Sequence, residues 1–522
     1  MTPISRSLAE APAVSPTPDA SREAGRSGLA LASAKVYFII AGTVHQIALP
    51  RLLGLDGYGA LASALSLASI VYNPIVSTGI QGVSRAVATA EPANRAALLR
   101  QSLVVHAIGA LVIAALTFAL APAVAAALGA PHLTLSLRVL SAVLLVYGLY
   151  APLVGALNGQ RRLLQQAGFD IFSATVRTLG LVAGALLWAR GSSTRGAEGA
   201  CFGFLAGVTL VLVVAVSVVG VGRAGASGTR VREHIAFVAP LLLGQTLLNL
   251  LFQADLTLLR RFAAEAATNR GLAPTAADPY VGAYRTTQLF SFLPYQLLMA
   301  VTFVLFPMLA GARRAADRRQ LAGYVENGLR IALVVTGAMV SVTAGLPAGL
   351  LRLGFGAQAA AYGAHALTVL ALGFGAFAIF GLLTAVLNGI GRERASLAIT
   401  FVACLLVVGA CFGWVRGGAL SEALLVRTAC ATAAGIALAT ALAGVLVYRS
   451  VGSLVPWRVV GRVGLGLGVA LTLARFLPQD RALLVVPEAV LVAGVYLVVL
   501  VLSGELGRAD LELARRVLKR RA

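Results

Sequence analysis

The chain has 522 residues, of which 59% are hydrophobic and only 12% charged, with a mean hydropathy of +0.87. An ordinary soluble globular domain carries about 25% charged residues, so this composition excludes that class. The formal charge of +22 is then a matter of membrane topology, and no nucleic-acid partner is implied.

Residues 1–27 are rich in Ser, Pro and Ala and read as a disordered cytoplasmic extension. Fourteen apolar runs follow, near 29–49, 59–81, 100–129, 133–157, 168–189, 199–222, 234–259, 280–310, 325–351, 361–388, 395–415, 424–448, 458–477 and 482–503. Each is long enough to cross a bilayer, whose ~30 Å hydrocarbon core needs roughly 20 helical residues. With the N-terminus inside, the cytoplasmic segments and their helix ends collect 28 of the 42 Lys and Arg and the outer side with its helix ends 13, leaving only Arg177, which lies deep in a span. This is the positive-inside asymmetry. An even number of spans returns the C-terminus to the cytoplasm. Residues 504–522 form a tail in which Leu506, Leu513 and Val517 face away from Arg515, Arg516, Lys519 and Arg520. Such an amphipathic basic helix suits the anionic lipids of a cytoplasmic surface. The expectation is an all-α polytopic protein of the cell (inner or plasma) membrane with about 14 transmembrane helices.

The chain also repeats itself. Pro122-Ala123 with Leu128-Gly129 returns as Pro347-Ala348 with Leu353-Gly354, and Leu157-Asn158-Gly159 before Arg161 returns as Leu387-Asn388-Gly389 before Arg392. Pro74 and Pro294 occupy spans 2 and 8. Six helices separate the copies, so the repeat is parallel, about an axis along the membrane normal, as in one class of transporters. This predicts two parallel six-helix lobes at 28–222 and 234–449, with two C-terminal helices at 457–503. The pairs Gly180/Gly184 and Gly203/Gly207 read as close-packing sites between neighbouring helices.

Ionisable groups inside spans are costly and by default face a cavity or a partner. The candidates are Lys35, His45, Arg177, Asp255 and Arg285, with Gln46, Asn73, Asn249, Gln253, Gln288 and Gln296 as polar neighbours. Lys35, Arg177 and Arg285 are candidate substrate-binding cations: an anionic headgroup offers compensation for buried guanidinium groups. For each a structural reading stands beside this one: Lys35 snorkelling to headgroups, Arg177 in a structural pair, Arg285 as an interface anchor. Asp255 either pairs with Arg285 or Arg260 or takes part in ion coupling and gating. His45 is either a satisfied interior histidine or a proton carrier. The four cysteines, Cys201, Cys404, Cys411 and Cys430, show no metal-ligand spacing. The chain has no phosphate-cradling Gly-Lys motif and no plausible outer-loop catalytic constellation, so neither an enzyme nor a cofactor is expected.

The stretch Arg51-Leu52-Leu53-Gly54-Leu55-Asp56-Gly57-Tyr58-Gly59 resembles the "LG-x-x-x-YG" signature of bacterial polysaccharide transporters. Asp255 with Leu256-Thr257-Leu258-Leu259, and Val281-Gly282-Ala283-Tyr284, are similar to the same family's seventh helix and the start of its eighth. Gly79-Ile80 with Val83-Ser84-Arg85-Ala86-Val87-Ala88, Gly196-Ala197-Glu198-Gly199-Ala200, and Asp510-Leu511 with Leu513 add to the resemblance, which runs over roughly 28–515. It implies a member of the multidrug/oligosaccharidyl-lipid/polysaccharide exporter superfamily that flips undecaprenyl-diphosphate-linked oligosaccharide to the outer leaflet. A polysaccharide polymerase or ligase would then be a partner. The lipid II flippases are relatives, but their arginine-rich pattern through the second span is not found here. A cation-coupled multidrug antiporter and an inactive scaffold of a polysaccharide assembly complex are the alternatives.

Overall fold

The computed structural model describes residues 18–189, 192–225, 231–314 and 317–507. Residues 508–522 of the predicted tail lie outside the described residues, as does 1–17 of the predicted extension, while 504–507 of the tail are described and not helical. Residues 18–27 depart from expectation, because they are drawn into the first helix.

Among the described residues every regular element is helical. The helices are α1 (Pro18–Thr89), α2 (Arg95–Ala127), α3 (Thr134–Gly159), α4 (Leu163–Trp188), α5 (Ser193–Val219), α6 (Val231–Thr268), α7 (Asp278–Ser291), α8 (Leu293–Arg314), α9 (Arg318–Gly345), α10 (Pro347–Phe355), α11 (Ala357–Gly389), α12 (Glu393–Trp414), α13 (Glu422–Val451), α14 (Trp457–Ala474) and α15 (Val485–Leu502). Among the described residues twelve helices are long and apolar enough to cross a membrane. The first covers two of the predicted spans. Its 72 residues would reach about 110 Å as one rod, and it breaks at Gly54, whose φ of 68° and ψ of 175° only glycine adopts readily. Predicted span 8 is divided into α7 and α8, where Pro294 cannot continue the backbone ladder. Predicted span 9 is divided at Leu346, with Pro347 opening α10. Counting α1 as two crossings and α7–α8 as one accounts for all fourteen runs.

The two halves pack alike. In the first, α3 and α4 both lie on α5, α2 lies on α3, and α1 lies on α3 and α4. In the second, α11 and α12 both lie on α13, α9 lies on α11, α7 and α8 lie on α11, and α6 lies on α12. The turns after Asn158 and Asn388 match bond for bond. Arg161 N donates to Asn158 O and Arg162 N to Leu157 O; Gly391 N donates to Asn388 O and Arg392 N to Leu387 O. These correspondences support the proposed duplication. The Pro122 and Pro347 match does not extend to conformation, since Pro122 stays inside unbroken α2. Gly180 and Gly184 do meet Gly203 and Gly199: a Cβ on either would come within 2.3 Å of a facing carbonyl oxygen.

Helices α14 and α15 pack on α9, around buried Tyr496, whose hydroxyl donates to Val334 O at 3.1 Å. Gln479 fills the break between α9 and α10. Its Oε1 accepts from Ala348 N and Gly349 N, and its Nε2 donates to Gly345 O.

Candidate functional site

The face on which α1 begins is called near, and the face carrying its Gly54 break is called far. On the far face the halves are locked together by backbone. Gly59 of α1 and Gly282 of α7 pack so closely that a Cβ on Gly59 would sit 1.9 Å from Asp278 O, and one on Gly282 would sit 2.2 Å from Leu55 O. Arg51 reaches across the same face, donating from Nε to Gly354 O at 2.8 Å and from Nη2 to Leu353 O at 2.6 Å.

Below this seal lies a polar cavity of about 310 Å³. Arg285, Gln46, Asn73, Asn249, Gln253, Gln288 and Gln296 line it, together with Phe252, Phe292 and Phe374. All six polar neighbours singled out in the sequence therefore converge on one space. Both halves supply walls, and Asn73 Nδ2 donates to Asn249 Oδ1 across the boundary at 2.9 Å. The sequence spacing explains the convergence: Asn249 and Gln253 are one helical turn apart on α6, and Arg285 and Gln288 are three apart on α7, so each pair shares a face.

Arg285 is half-buried and donates to Gln288 Oε1 at 3.0 Å. It also bonds the hydroxyl of buried Tyr58. Arg177, on α4, lies outside the cavity lining but close to the same centre: His45 and Tyr72 each stand within electrostatic reach of both Arg177 and Arg285. The Arg177 guanidinium lies 4.8 Å above the Phe38 ring and bonds the Tyr147 hydroxyl, while its buried Nε has no hydrogen-bond partner. Among the described residues neither arginine forms an ion pair with a carboxylate. His45 Nδ1 lies 3.1 Å from Ala41 O and 3.4 Å from Thr178 Oγ1, inside the first half.

One expectation needs correction. Asp255 pairs with neither Arg260 nor Arg285. It is 1% exposed and accepts from Leu256 N at 2.8 Å, Tyr284 Oη at 2.9 Å, Gln288 Nε2 at 2.9 Å and Thr432 Oγ1 at 3.5 Å, so four neutral donors satisfy it. Arg260 is fully buried and bonds Asp278 instead, eighteen residues on, around the connection from α6 to α7. Lys35 sits apart from the cavity, exposed near the start of α1, with Nζ 2.7 Å from Asp170 of α4. Sequence reasoning gave no site role to Tyr58, Tyr72 and Tyr147, which surround the arginines. Tyr58 carried a signal as the tyrosine of the LG-x-x-x-YG stretch; Tyr72 and Tyr147 carried none, because tyrosine is unremarkable in an apolar span.

The site thus offers guanidinium groups without anionic partners beside a wall of amides, which donate and accept alike. The described residues contain no cluster of three or more potential metal ligands.

A family model described as "Polysaccharide biosynthesis protein" matches residues 24–312. No curated protein matches the chain in sequence. The fold is similar to that of the lipid II flippase MurJ in its inward closed conformation, at 14% identity and TM-score 0.67, covering 89% of this chain and 98% of that one. It is also similar to a multidrug resistance MATE family transporter of the MOP superfamily in its inward-facing conformation, at 16% identity and TM-score 0.59, covering 78% of this chain and 98% of that one. A MOP superfamily transporter from Pyrococcus furiosus, described by the reverse polarity of its binding pocket, matches at 16% identity and TM-score 0.55, over 82% of this chain and 95% of that one. With more than half its length matched, the chain belongs to the polysaccharide biosynthesis protein family, on a fold shared with MOP-superfamily transporters.

Proposed function

We propose that the protein is a flippase that carries a lipid-linked oligosaccharide, joined to its lipid through a diphosphate, from the cytoplasmic to the outer leaflet. The near face is then cytoplasmic. The observation that carries this reading is the pair Arg177 and Arg285, set about a common centre and bonded only to neutral groups. An unpaired guanidinium within a span is costly, and a diphosphate supplies the missing anion in forked geometry. The amides of Gln46, Asn73, Asn249, Gln253 and Gln296 suit sugar hydroxyls, which need donors and acceptors together. Lys35 stands near the cytoplasmic mouth, where Asp170 holds it when cargo is absent. An antiporter of cationic drugs would be better served by carboxylates facing the cavity, and Asp255 is already occupied by four donors.

The test is leaflet accessibility of a labelled prenyl-diphosphate sugar in vesicles holding the full chain. Arg285→Ala and Arg177→Ala should each impair flipping at normal abundance, and Arg→Lys should rescue it only in part. Wild-type rates in both alanine variants would remove the cargo role.

A further inference from the structure

On the near face a short connection follows the last helix of each half, and the two connections differ in what they fill. In the second half Ser453, just after α13, bonds Glu326 of α9, and Leu454 lies against Gly444 of α13. Leu454 and Val455 pack on the core of that half, so the chain bridges α9 and α13 with its own apolar side chains. In the first half the helices in the same positions, α2 and α5, both lie on α3. The connection after α5 is Gly220-Val221-Gly222-Arg223, and it is held tightly to the start of α2. Arg223 N donates to Ala96 O at 3.2 Å, and a Cβ on Gly222 would come within 2.2 Å of the same oxygen. One valine, 52% exposed, therefore stands where the second half has Leu454 and Val455.

A groove of about 350 Å³ remains, walled by Leu103 of α2, Leu149 and Leu153 of α3, and Leu212 and Val216 of α5. Arg100, exposed at its near end, is the one charged lining residue among those described. Exposed Arg223 is brought alongside by the Ala96 contact. Among the described residues neither guanidinium has a hydrogen bond or an ion pair.

We propose that this groove binds an anionic phospholipid of the near leaflet, with one acyl chain along the groove and the phosphate on Arg100 and Arg223. The chain and the head contribute differently. Moving a chain from bulk lipid into the groove changes no exposure to water, so it is held by packing contacts that a poorly filled groove forfeits. The groove runs from Arg100 to Ala107, about 10 Å along α2, and so takes a length of chain as well as the headgroup. The head selects the lipid. Two guanidinium groups without carboxylate partners take a phosphate through forked, charge-assisted bonds. A zwitterionic lipid brings its own cation beside that phosphate and loses part of the attraction, whereas a headgroup of net negative charge keeps all of it. The bound lipid braces α2 against α5, as Leu454 and Val455 bridge α9 and α13 in the other half.

Cargo takes no part in the test, so its failure leaves the flippase reading intact. The full chain in detergent is given equal amounts of phosphatidylglycerol and phosphatidylcholine with identical acyl chains, and native mass spectrometry counts the lipid retained. The parent should retain phosphatidylglycerol in preference. Arg100→Gln and Arg223→Gln should each lower that preference about 5-fold, the worth of one basic residue beside an anionic headgroup. Arg392→Gln with Arg394→Gln removes two exposed charges from the near face of the other half and should change nothing. Val104→Trp keeps both arginines but fills the groove from a side chain that is 51% exposed, and should cost the bound phosphatidylglycerol as well. Equal retention of the two lipids by the parent overturns the proposal, as does a preference that survives loss of both groove arginines. An equal loss in the Arg392/Arg394 control, or full retention in Val104→Trp, would reduce the effect to general surface charge and overturn it too.

Discussion

Asp255 and Arg285 are joined through one amide. Gln288 accepts from Arg285 Nη1 through Oε1 at 3.0 Å and donates through Nε2 to Asp255 Oδ1 at 2.9 Å. A cavity group is thereby connected to a buried carboxylate on α6, which also accepts from Tyr284 of α7. An anion that draws Arg285 towards itself competes with the Gln288 amide, and the change is felt where α6 meets α7. Binding that alters one arrangement relative to another is what biases a two-state protein.

Gln288→Glu is the direct test of the relay. A carboxylate at this position would pair with Arg285 and cancel the charge offered to cargo. With a charge-assisted bond worth ~1.5–3 kcal/mol, flipping per folded molecule should fall about 10- to 100-fold, and the unfolding midpoint should fall as well, because an oxygen then faces Asp255 Oδ1 where the amide N–H donated. Leaflet accessibility of the labelled sugar measures the fall. An unchanged rate, alongside an impaired Arg285→Ala, would mean that the guanidinium meets cargo without engaging Gln288.

Asp255→Asn should act on stability. The native carboxylate takes four hydrogen bonds in a site from which water is excluded. An amide can keep its oxygen for Leu256 N and Gln288 Nε2, but its N–H₂ then faces the Tyr284 and Thr432 hydroxyls, whose buried protons lose the carboxylate that accepted them, at a cost of about 1–3 kcal/mol. Thermal unfolding in detergent should show a clearly lowered midpoint. A wild-type midpoint with altered ion dependence of transport would instead assign Asp255 to coupling.

Spans and cavity differ in how far the sequence reveals them. Apolar runs are local, and a charge inside one stands out, so Arg285 and the amides beside it could be read before any fold was known. What joins the two halves is not local. The His106–His234 contact crosses 128 positions, Asn73–Asn249 crosses 176, and Arg51 reaches carbonyls 302 and 303 positions away. Periodicity also does not tell which of two nearby arginines a carboxylate takes. Arg285 and Arg260 were both open partners for Asp255, yet the three-ten turn Pro274–Ala277 delivers Asp278 to Arg260 instead. Breaks inside apolar runs were only half legible: Pro74 and Pro294 both lie mid-span, but only Pro294 stands at a helix break, since α1 runs through Pro74 without interruption.

The repeat makes a prediction about a single turn. Arg161 has φ of 58° and is the one non-glycine residue with positive φ among those described, whereas its counterpart 230 positions on is Gly391, with φ of 76°. The left-handed conformation costs an L-residue with a side chain roughly 1–2 kcal/mol. Arg161→Gly should accordingly raise the unfolding midpoint, offset in part by the greater freedom of glycine in the unfolded chain. Gly391→Arg should lower it. Equal midpoints for Gly391→Arg and the parent would show that the two turns are not under the same constraint.

The far seal should be the part of the molecule least tolerant of a methyl group. At Gly59 the added Cβ would sit 1.9 Å from Asp278 O and within 2.9 Å of Gly282 N, both backbone atoms that no side-chain rotation can move aside. Gly59→Ala must therefore push α1 and α7 apart, at an overpacking cost of ~1–3 kcal/mol. That strain exists only while the far face is sealed, so the variant should shift the balance towards a far-open state by about 5- to 150-fold, the population change equivalent to such an energy. A cysteine placed in the cavity at Asn249 and probed with a membrane-impermeant thiol reagent from the far side reads the shift directly. Gly168→Ala, where a Cβ meets nothing within 4 Å, is the matched control and should leave labelling unchanged. If Gly59→Ala folds and labels no faster than the control, the Gly59–Asp278 contact is a permanent joint, and opening of the far face must occur elsewhere.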